Sequence, residues 1–345
     1  MGYGKNAGGM AAGERWRAVV AGKPVDRLPV VEWAPWWGLT LDRWYGEGLK
    51  AGWQGGGGAG LEIQRHFGLD GCVQSYFNPE TAATLAAPSH GAGVLKTEAE
   101  YENIRKTLFR DPATCLSKER FEWLKKTRAE GDVIHWFTVE GFFWHPRDLL
   151  GIEAHLFSFY DEPALLRRIC GDHLQWLKRV IEFVGNTFQF DFMSFAEDMS
   201  YNNGPMLSKE LFDEFLAPYY GQIIPLIQKA GIPVFIDSDG NVEKAVDWYA
   251  GAGADGIFPL ERQAGVDVGL YIDKHPEITY LGHFDKMRMK YGEAAMRAEF
   301  ERLLPAARRG KLIFSVDHQT PPDVSMGNYG IYVKLLKEYA VLARQ

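Results

Sequence analysis

Short apolar runs alternate with helical patterns along most of the chain. Eight such runs recur, and a loop and a helical pattern follow each of them. Short runs bounded by turn residues are typical of strands buried in a parallel sheet. The predicted strands span 28–32, 71–77, 133–139, 190–196, 232–236, 256–260, 279–283 and 312–316. The alternation predicts an α/β protein, a (β/α)8 TIM barrel with an N-terminal helical extension. A doubly wound sheet alternates in the same way, but eight units favour the barrel.

The helical patterns are clearest in the second half of the chain. Apolar residues recur at helical spacing from 161 to 186, which predicts one long helix. Further helices are predicted at 13–21, 38–70 with a break at the glycines 55–58, 117–130, 208–228 with a break near Pro218, 242–250, 266–273, 293–306 and 325–343. The stretch between the second strand and residue 117 has little pattern and is predicted as a long connection. We predict one domain over 1–345, with a flexible segment at 1–12.

Length and composition exclude several classes of protein. A chain of 345 residues with 46% hydrophobic residues fits one barrel with insertions. The net charge of −7, with no basic stripe, argues against broad nucleic-acid binding. No apolar run reaches about 18 residues and no secretory signal is recognisable, so we expect neither membrane insertion nor export. Three scattered cysteines, Cys72, Cys115 and Cys170, make a disulfide framework improbable and favour a cytoplasmic location.

Most of the predicted strands end on a carboxylate or a histidine. The strand endings in chain order are Glu32, Tyr76, Glu140, Glu197 with Asp198, Asp237 with Asp239, Glu261, His283 with Asp285, and Asp317 with His318. In a β/α barrel the C-terminal strand ends converge and form the active site. We therefore expect side chains that are distant in sequence to meet there.

Five of these residues are candidate metal ligands. They are Asp237, Asp239, Glu261, His283 and His318. Oxygen and nitrogen donors without sulfur suit zinc or a harder divalent ion. Each residue also has an ordinary structural explanation. Asp239 could cap the helix predicted from 242, Glu261 could pair with Arg262, and each histidine could make a buried or loop hydrogen bond. A metal-free site is the alternative, because clustered carboxylates raise one another's pKa and can supply a general acid.

The first half of the chain supplies further candidates. Glu197 and Glu32 are the catalytic candidates, either of which would position substrate or move protons. The aromatic residues near strand ends suggest an apolar face for substrate, although any single ring could equally pack in the barrel. The candidate substrate-binding residues are Trp36, Tyr76, Trp136, Trp144 and Tyr201.

Several motifs resemble those of the uroporphyrinogen decarboxylase superfamily, a family of barrels. They are Gly22-Lys-Pro-Val-Asp-Arg-Leu-Pro29, Ser208-Lys-Glu-Leu-Phe212, Gly253-Ala-Asp-Gly256 with Pro259-Leu-Glu261, and Asp317-His318 followed by Pro321-Pro-Asp-Val324. The decarboxylase itself carries an Arg-Gln-Ala-Gly-Arg segment after its first strand, which holds substrate carboxylates. Here that place reads Glu32-Trp-Ala-Pro-Trp-Trp37, without an arginine. The resemblance therefore points away from the decarboxylase.

The chain looks more like the corrinoid-dependent methyltransferases of this superfamily. That resemblance implies a divalent metal, with zinc expected, a small-molecule methyl donor such as an aryl methyl ether, and a corrinoid on a partner protein. In the coenzyme M enzymes His-x-Cys, a second Cys and a nearby Glu hold zinc; the corresponding residues here are Asp237, Asp239, His318 and Glu261. Both cysteines are absent, so the O-demethylation type, with carboxylate and histidine ligands, fits better. The alternatives are a metal-free decarboxylase or lyase and a non-catalytic tetrapyrrole-binding barrel.

Overall fold

The computed structural model describes residues 9–50, 57–79, 87, 89 and 91–345. Residues 1–8 of the predicted flexible segment, and part of the predicted glycine break, lie outside the described residues. The helices are Ala12–Val20, Gly38–Gly46, Gly57–Phe67, Glu98–Leu108, Lys118–Glu130, Trp144–Leu150, Ile152–Asp161, Pro163–Thr187, Lys209–Phe215, Ala217–Lys229, Glu243–Gly251, Glu293–Arg309 and Met326–Leu342. The strands are β1 Gly71–Tyr76, β2 Val133–Glu140, β3 Phe192–Ala196, β4 Ser200–Tyr201, β5 Gly204–Pro205, β6 Val234–Asp237, β7 Gly256–Phe258, β8 Thr279–Phe284 and β9 Lys311–Val316.

Seven of these strands form one sheet. They are hydrogen-bonded in the order β1-β2-β3-β6-β7-β8-β9, while β4 and β5 form a separate antiparallel pair. The pairs β3–β6, β7–β8 and β8–β9 are parallel. Helices follow most of the strands along the chain. The chain therefore has the predicted α/β fold, and seven of the eight predicted strands are present.

The predicted first strand, 28–32, is not formed in the described chain. The segment nevertheless lies against both edges of the sheet. The Val30 carbonyl oxygen accepts a hydrogen bond from the backbone N–H of Asp70, just before β1, at 2.8 Å. The Trp33 indole N–H donates to the Val316 carbonyl oxygen in β9 at 2.7 Å. Side chains thus supply part of the bonding that a backbone ladder would provide in a strand.

The described chain contains two compact units, each built from separate stretches of sequence. One comprises Met1–Gln74, Leu124–Trp136 and Asp255–Gln345; the other comprises Ser75–Trp123 and Phe137–Ala254. In the first unit, Phe300 of the helix Glu293–Arg309 packs on Phe284 of β8 at 4.6 Å between ring centroids. Phe300 also stacks on Tyr339 of the last helix at 5.0 Å. Burial of these large rings between helix and strand stabilises the unit.

The core of the second unit includes a helix that the sequence analysis missed. Tyr101 and Leu108 of the helix Glu98–Leu108 are buried against Leu165 and Ile169 of the long helix. A capping box starts the missed helix: the Thr97 side chain accepts from the Glu100 N–H, and the Glu100 carboxylate accepts from the Thr97 N–H. This Thr-x-x-Glu signal was present in the sequence and marks a helix start.

Three histidines are buried in the second unit, and all three have a lowered pKa because burial disfavours the charged imidazolium. His145 stacks on His173 at 4.1 Å between ring centroids. His155 packs edge-on against Phe143 at 4.7 Å. Neither ring nitrogen of His155 has a hydrogen-bond partner among the described residues. Burial lowers the pKa of His155 to about 3.

The His155→Leu variant is expected to reduce the acid sensitivity of the fold. Below pH 6.5 the unfolded chain takes up a proton at His155, whereas the folded chain does not until about pH 3. The contribution of His155 to the free energy of unfolding is thus fully present above pH 6.5 and is lost as pH falls. Between pH 7 and pH 5 the wild type should lose roughly 2 kcal/mol more than the variant, at about 1.4 kcal/mol per pH unit below 6.5.

Urea unfolding at pH 7 and pH 5 measures this difference. His66→Leu, at an exposed histidine of the helix Gly57–Phe67, is the control and should change the pH dependence less. An equal loss of stability in wild type and His155→Leu would contradict the prediction.

Within the described residues, no helix combines the length and apolar character needed to cross a membrane.

Candidate metal and active site

The loops after β3 and β6 are bound to each other. The Asp239 N–H donates to the Asp198 carboxylate at 3.0 Å, and the Glu197 N–H donates to the Asp237 carbonyl oxygen at 2.8 Å. Gly240 has a φ of 79°, and a Cβ there would lie 2.8 Å from the Ser200 carbonyl oxygen. The two loops therefore approach so closely that only glycine fits, which fixes the backbone of Asp239.

Asp237 and Asp239 occupy different environments although only one residue separates them. Burial, followed by the nearby charges of Asp198 and Asp239, raises the pKa of Asp237 well above its ordinary value. Both desolvation and like charge disfavour ionisation of a carboxyl group. Among the described residues, Asp239 and not Asp237 belongs to a group of possible metal ligands.

Asp317 organises the strand ends of the first unit. Its carboxylate is buried and accepts backbone N–H groups from Arg262 at 3.0 Å and Lys286 at 3.1 Å. Glu261 precedes Arg262, and His318 follows Asp317. The sequence marks Asp317 as a strand ending and indicates no role for it. The Asp317 carboxylate accepts backbone N–H groups from two other loops, and no sequence pattern reveals this arrangement.

Three of the five predicted ligands form one group that could hold a metal ion. Asp239, Glu261 and His318 each offer one ligand atom, and these atoms all lie within 4.8 Å of one another. All three side chains are partly exposed. Two carboxylates and one imidazole form a donor set that suits zinc or a harder divalent cation. Exposed acidic groups also cluster where no ion binds, so the donor set fits a metal without requiring one.

His283 is not in this group among the described residues. It is fully buried, with a φ of 71°, and both of its ring nitrogens bond to the backbone. Nδ1 lies 2.8 Å from the Leu260 carbonyl oxygen, and Nε2 accepts the Val268 N–H at 3.2 Å. A ring with both nitrogens engaged has no lone pair for a metal. The geometry therefore gives His283 a structural role, which corrects its prediction as a ligand.

Glu197 is completely buried in the second unit, and its carboxylate has three donors. One oxygen accepts the N–H groups of Phe143 at 2.9 Å and Trp144 at 3.1 Å, and the other accepts the Tyr220 hydroxyl. A Cβ on Gly141 would lie 2.2 Å from the same carboxylate. Burial raises the pKa of Glu197 to about 7, against the opposing effect of these donors. The pKa of the Glu197 carboxyl group is thus near neutral pH, but the group is enclosed by its donors.

Glu32 is the corresponding buried carboxyl group of the first unit. It accepts the Ser315 hydroxyl at 2.8 Å and the Tyr329 hydroxyl at 3.0 Å. Burial is the largest effect on its pKa, which rises to about 8, and the charge of Asp317 adds to the rise. Glu32 is therefore mainly protonated at pH 7. Its exposed fraction of 2% leaves little surface for contact with a substrate.

A third buried carboxyl group, Glu140, lies next to the histidine stack. Its carboxylate is 2.7 Å from His145 Nδ1, and its backbone carbonyl oxygen is 2.8 Å from His173 Nε2. Burial raises the pKa of Glu140 and lowers that of His145, so both directions favour a neutral pair. No sequence pattern indicates this cluster, because its histidines lie inside helical segments without any local motif.

One aromatic ring of the first unit, that of Trp33, packs against His318. Trp33 packs edge-on against His318 at 6.3 Å and against Phe258 at 5.0 Å between ring centroids. Trp136, a predicted substrate-binding residue, packs on Phe258 at 5.7 Å. Trp33, Trp136 and Phe258 together form an aromatic wall.

The other predicted substrate-binding residues are in varied environments. Trp36 is buried against Trp44 and Tyr329, at 6.3 and 5.9 Å, which indicates packing. Trp144 is half-buried beneath the guanidinium of Arg147. Tyr76 and Tyr201 expose 52% and 49% of their surface.

The second half of the chain is similar to a known protein family. Residues 169–339 match the uroporphyrinogen decarboxylase (URO-D) family. The match confirms the resemblance to the uroporphyrinogen decarboxylase superfamily that the motifs indicated. It contains Glu197, Asp239, Glu261 and His318, and therefore all three members of the metal-binding group. No curated protein matches the chain.

Solved structures extend the likeness over nearly the whole chain. A methyltransferase from Methanosarcina mazei superposes with a TM-score of 0.63 at 14% identity, covering 96% of this chain and 99% of that one. A xylose isomerase-like TIM barrel protein from Mycobacterium smegmatis gives 0.43 at 12% identity, covering 83% and 88%. A putative vitamin-B12-independent methionine synthase from Listeria monocytogenes gives 0.42 at 13% identity, covering 81% and 83%. At these identities the likeness concerns the fold alone.

Proposed function

We propose that the protein is a methyltransferase that moves a methyl group between a methylated small molecule and a corrinoid carried on a partner protein. We further propose that a divalent metal, with zinc the first candidate, is held by Asp239, Glu261 and His318. The observation that carries this proposal is the approach of these three ligand atoms to within 4.8 Å of one another. The URO-D family match and the fold of the Methanosarcina methyltransferase support the reaction class.

In this proposal, the metal ligands and the aromatic residues have separate roles. Asp239, Glu261 and His318 would hold the metal, and three protein ligands leave a coordination position open. A bound divalent metal supplies Lewis-acid polarisation of the atom that bears the methyl group. Trp33, the partly exposed ring of the aromatic wall, packs beside His318 and would contact an apolar or aromatic donor. When a methyl ether reacts, its oxygen keeps the bonding electron pair and takes up a proton.

Glu197 and Glu32 would act by positioning the site and holding protons near neutral pH. Both carboxyl groups are buried and already accept hydrogen bonds, so neither is free to contact a substrate directly. Glu197 ties the end of β3 to the backbone of Phe143 and Trp144. Glu32 ties its segment to Ser315 in β9. The roles of Glu197 and Glu32 would therefore be indirect, without contact with the substrate.

We also infer that the sheet closes into the eight-fold barrel predicted from the sequence, with the segment 28–33 in the place of the eighth strand. The supporting contacts are those of Val30 with Asp70 and of Trp33 with Val316, at the two edges of the sheet. Closure would bring the strand endings to one face, where β/α barrels form their active sites.

Metal analysis combined with a methyl-transfer assay tests the proposal. The purified protein should contain about one divalent metal per chain, since the part of the chain that the structure describes contains one such ligand group. Cob(I)alamin offered with a panel of methoxylated aromatic compounds should be methylated, and removal of the metal by a chelator should stop the reaction until zinc is restored. Protein that contains no metal and gains nothing from added metal would contradict the proposal.

A metal-free lyase is the second candidate, favoured by the raised pKa values of Glu32 and Glu197. Protonated carboxyl groups near pH 7 can serve as general acids. Enclosure of both groups argues against it, because a general acid must reach the group it protonates. Decarboxylation of a carboxylated substrate by chelator-treated protein would favour this candidate over methyl transfer.

A further inference from the structure

One buried carboxylate holds three strand ends of the first unit together. Asp317 directly follows β9, and its Oδ2 accepts the Arg262 N–H at 3.0 Å, from the loop after β7. Its Oδ1 accepts the Lys286 N–H at 3.1 Å, from the loop after β8. The Lys286 ammonium group lies 3.5 Å from the same oxygen and balances the buried charge. Fixed backbone donors thus satisfy both oxygens in place of water.

These hydrogen bonds adjoin two of the proposed metal ligands. The N–H of Arg262 belongs to the peptide unit that follows the Cα of Glu261, so its bond to Asp317 orients that peptide plane. His318 is the next residue after Asp317, and fixing the Asp317 side chain restricts its backbone as well. We propose that Asp317 is a positioning residue for the metal: it orients Glu261 and His318 without binding the ion itself. This inference rests on the metal site of the proposed function.

The turn that presents Glu261 depends on such outside support. Leu260, immediately before Glu261, has a φ of 66°, in the left-handed region. For a residue other than glycine this conformation costs about 1–2 kcal/mol and persists only where surrounding bonds hold it. The bond from Asp317 to Arg262 lies on one side of Glu261, and the bond from His283 to the Leu260 carbonyl oxygen lies on the other. Glu261 is therefore held from both sides.

Zinc affinity distinguishes positioning from a purely structural role. In Asp317→Asn the amide keeps one acceptor oxygen, but its NH2 group cannot accept the second backbone N–H. Zinc binding should weaken about 10–100-fold, as is usual when an outer partner of a metal ligand is lost. Asp285→Asn is the matched control, because Asp285 is also buried at a neighbouring strand end but accepts from Met287 and Gln263 instead. Its zinc affinity should stay close to that of the wild type.

A second pair of variants tests the same hydrogen bond from the donor side. Arg262→Pro deletes the N–H and leaves Asp317 in place. Glu261 has φ −60° and ψ 118°, a conformation that a following proline accepts, and Arg262 is the first residue of a short 3-10 helix. Arg262→Ala removes only the side chain, which donates to the Val266 carbonyl oxygen. We expect weaker zinc binding for Arg262→Pro than for Arg262→Ala.

The experiment is calorimetric titration of each purified chain with zinc, with urea unfolding of the metal-free chains alongside. Weakened binding in Asp317→Asn and Arg262→Pro, with both controls near wild type, supports the inference. Wild-type affinity in Asp317→Asn, or an equal loss in Asp285→Asn, overturns it while the metal site stands. If Asp317→Asn fails to fold, the comparison of Arg262→Pro with Arg262→Ala decides in the same way. A wild-type chain that binds no zinc overturns the proposed function, and this inference with it.

Discussion

The His318→Ala variant is expected to bind zinc about 100- to 1,000-fold more weakly than the wild type. Four-ligand zinc sites bind with about 10–16 kcal/mol, so one ligand contributes roughly 3–4 kcal/mol, and each 1.4 kcal/mol is tenfold in affinity. His318 supplies the only nitrogen of the proposed ligand group. The remaining carboxylates of Asp239 and Glu261 favour harder cations, so zinc should suffer more than magnesium. Methyl transfer should fall in parallel with zinc occupancy.

A matched histidine variant controls for loss of an imidazole in the same unit. His275→Ala removes a partly buried histidine that pairs with Glu277 at 3.1 Å and lies outside the ligand group. Its zinc affinity should equal that of the wild type. Isothermal titration of both variants, with circular dichroism to verify folding, makes the comparison. Unchanged zinc affinity in His318→Ala would remove His318 from the site.

The Glu197→Ala variant is expected to lose at least about 3 kcal/mol of unfolding free energy, because each of the three donors to Glu197 costs about 1–3 kcal/mol when it is left unpaired. The change leaves the N–H groups of Phe143 and Trp144 and the Tyr220 hydroxyl without their acceptor. Glu197→Gln should lose roughly 1–2 kcal/mol, since its carbonyl oxygen can still accept the two backbone N–H groups. Denaturant unfolding monitored by circular dichroism measures both.

Glu182→Ala, on an exposed face of the helix Pro163–Thr187, is the control for Glu197. Surface changes of this kind usually stay within about 0.5 kcal/mol. If Glu197→Ala were no more destabilising than Glu182→Ala, the enclosed carboxylate could not be holding the end of β3. Its role would then have to be sought in direct contact with substrate.

Strands that pair through the backbone could be predicted from hydrophobic runs, whereas side-chain-mediated packing could not. The hydrophobic runs that lead to Tyr76 and to Asp317 form regular strands, as expected. The run 28–32 looks the same in sequence, yet no strand forms there. One backbone bond joins Val30 to Asp70, while the other bonds to Asp70 and to Ser315 involve side chains. The helix Glu98–Leu108 was missed because its apolar face is narrow, although its capping box was visible.

The site was predictable as a set of strand endings but not in its detailed composition. Asp239, Glu261 and His318 follow their strands by two or three residues, and this position made them candidates from the sequence alone. The rule cannot tell which way a side chain turns after the strand ends. His283 lies inside β8 with a positive φ, and its ring turns to the backbone of Leu260 and Val268. The positioning role of Asp317 depends on backbone donors that have no sequence signature.

The most direct test of the metal site is a crystal structure of the zinc-loaded protein with anomalous data collected at the zinc edge. The account predicts one anomalous peak about 2.0–2.2 Å from a carboxylate oxygen of Asp239, a carboxylate oxygen of Glu261 and a ring nitrogen of His318, the usual zinc distances. The peak should have a coordination position open to solvent or substrate. A zinc-loaded crystal with no peak at these side chains, or with zinc held by other residues, would contradict it.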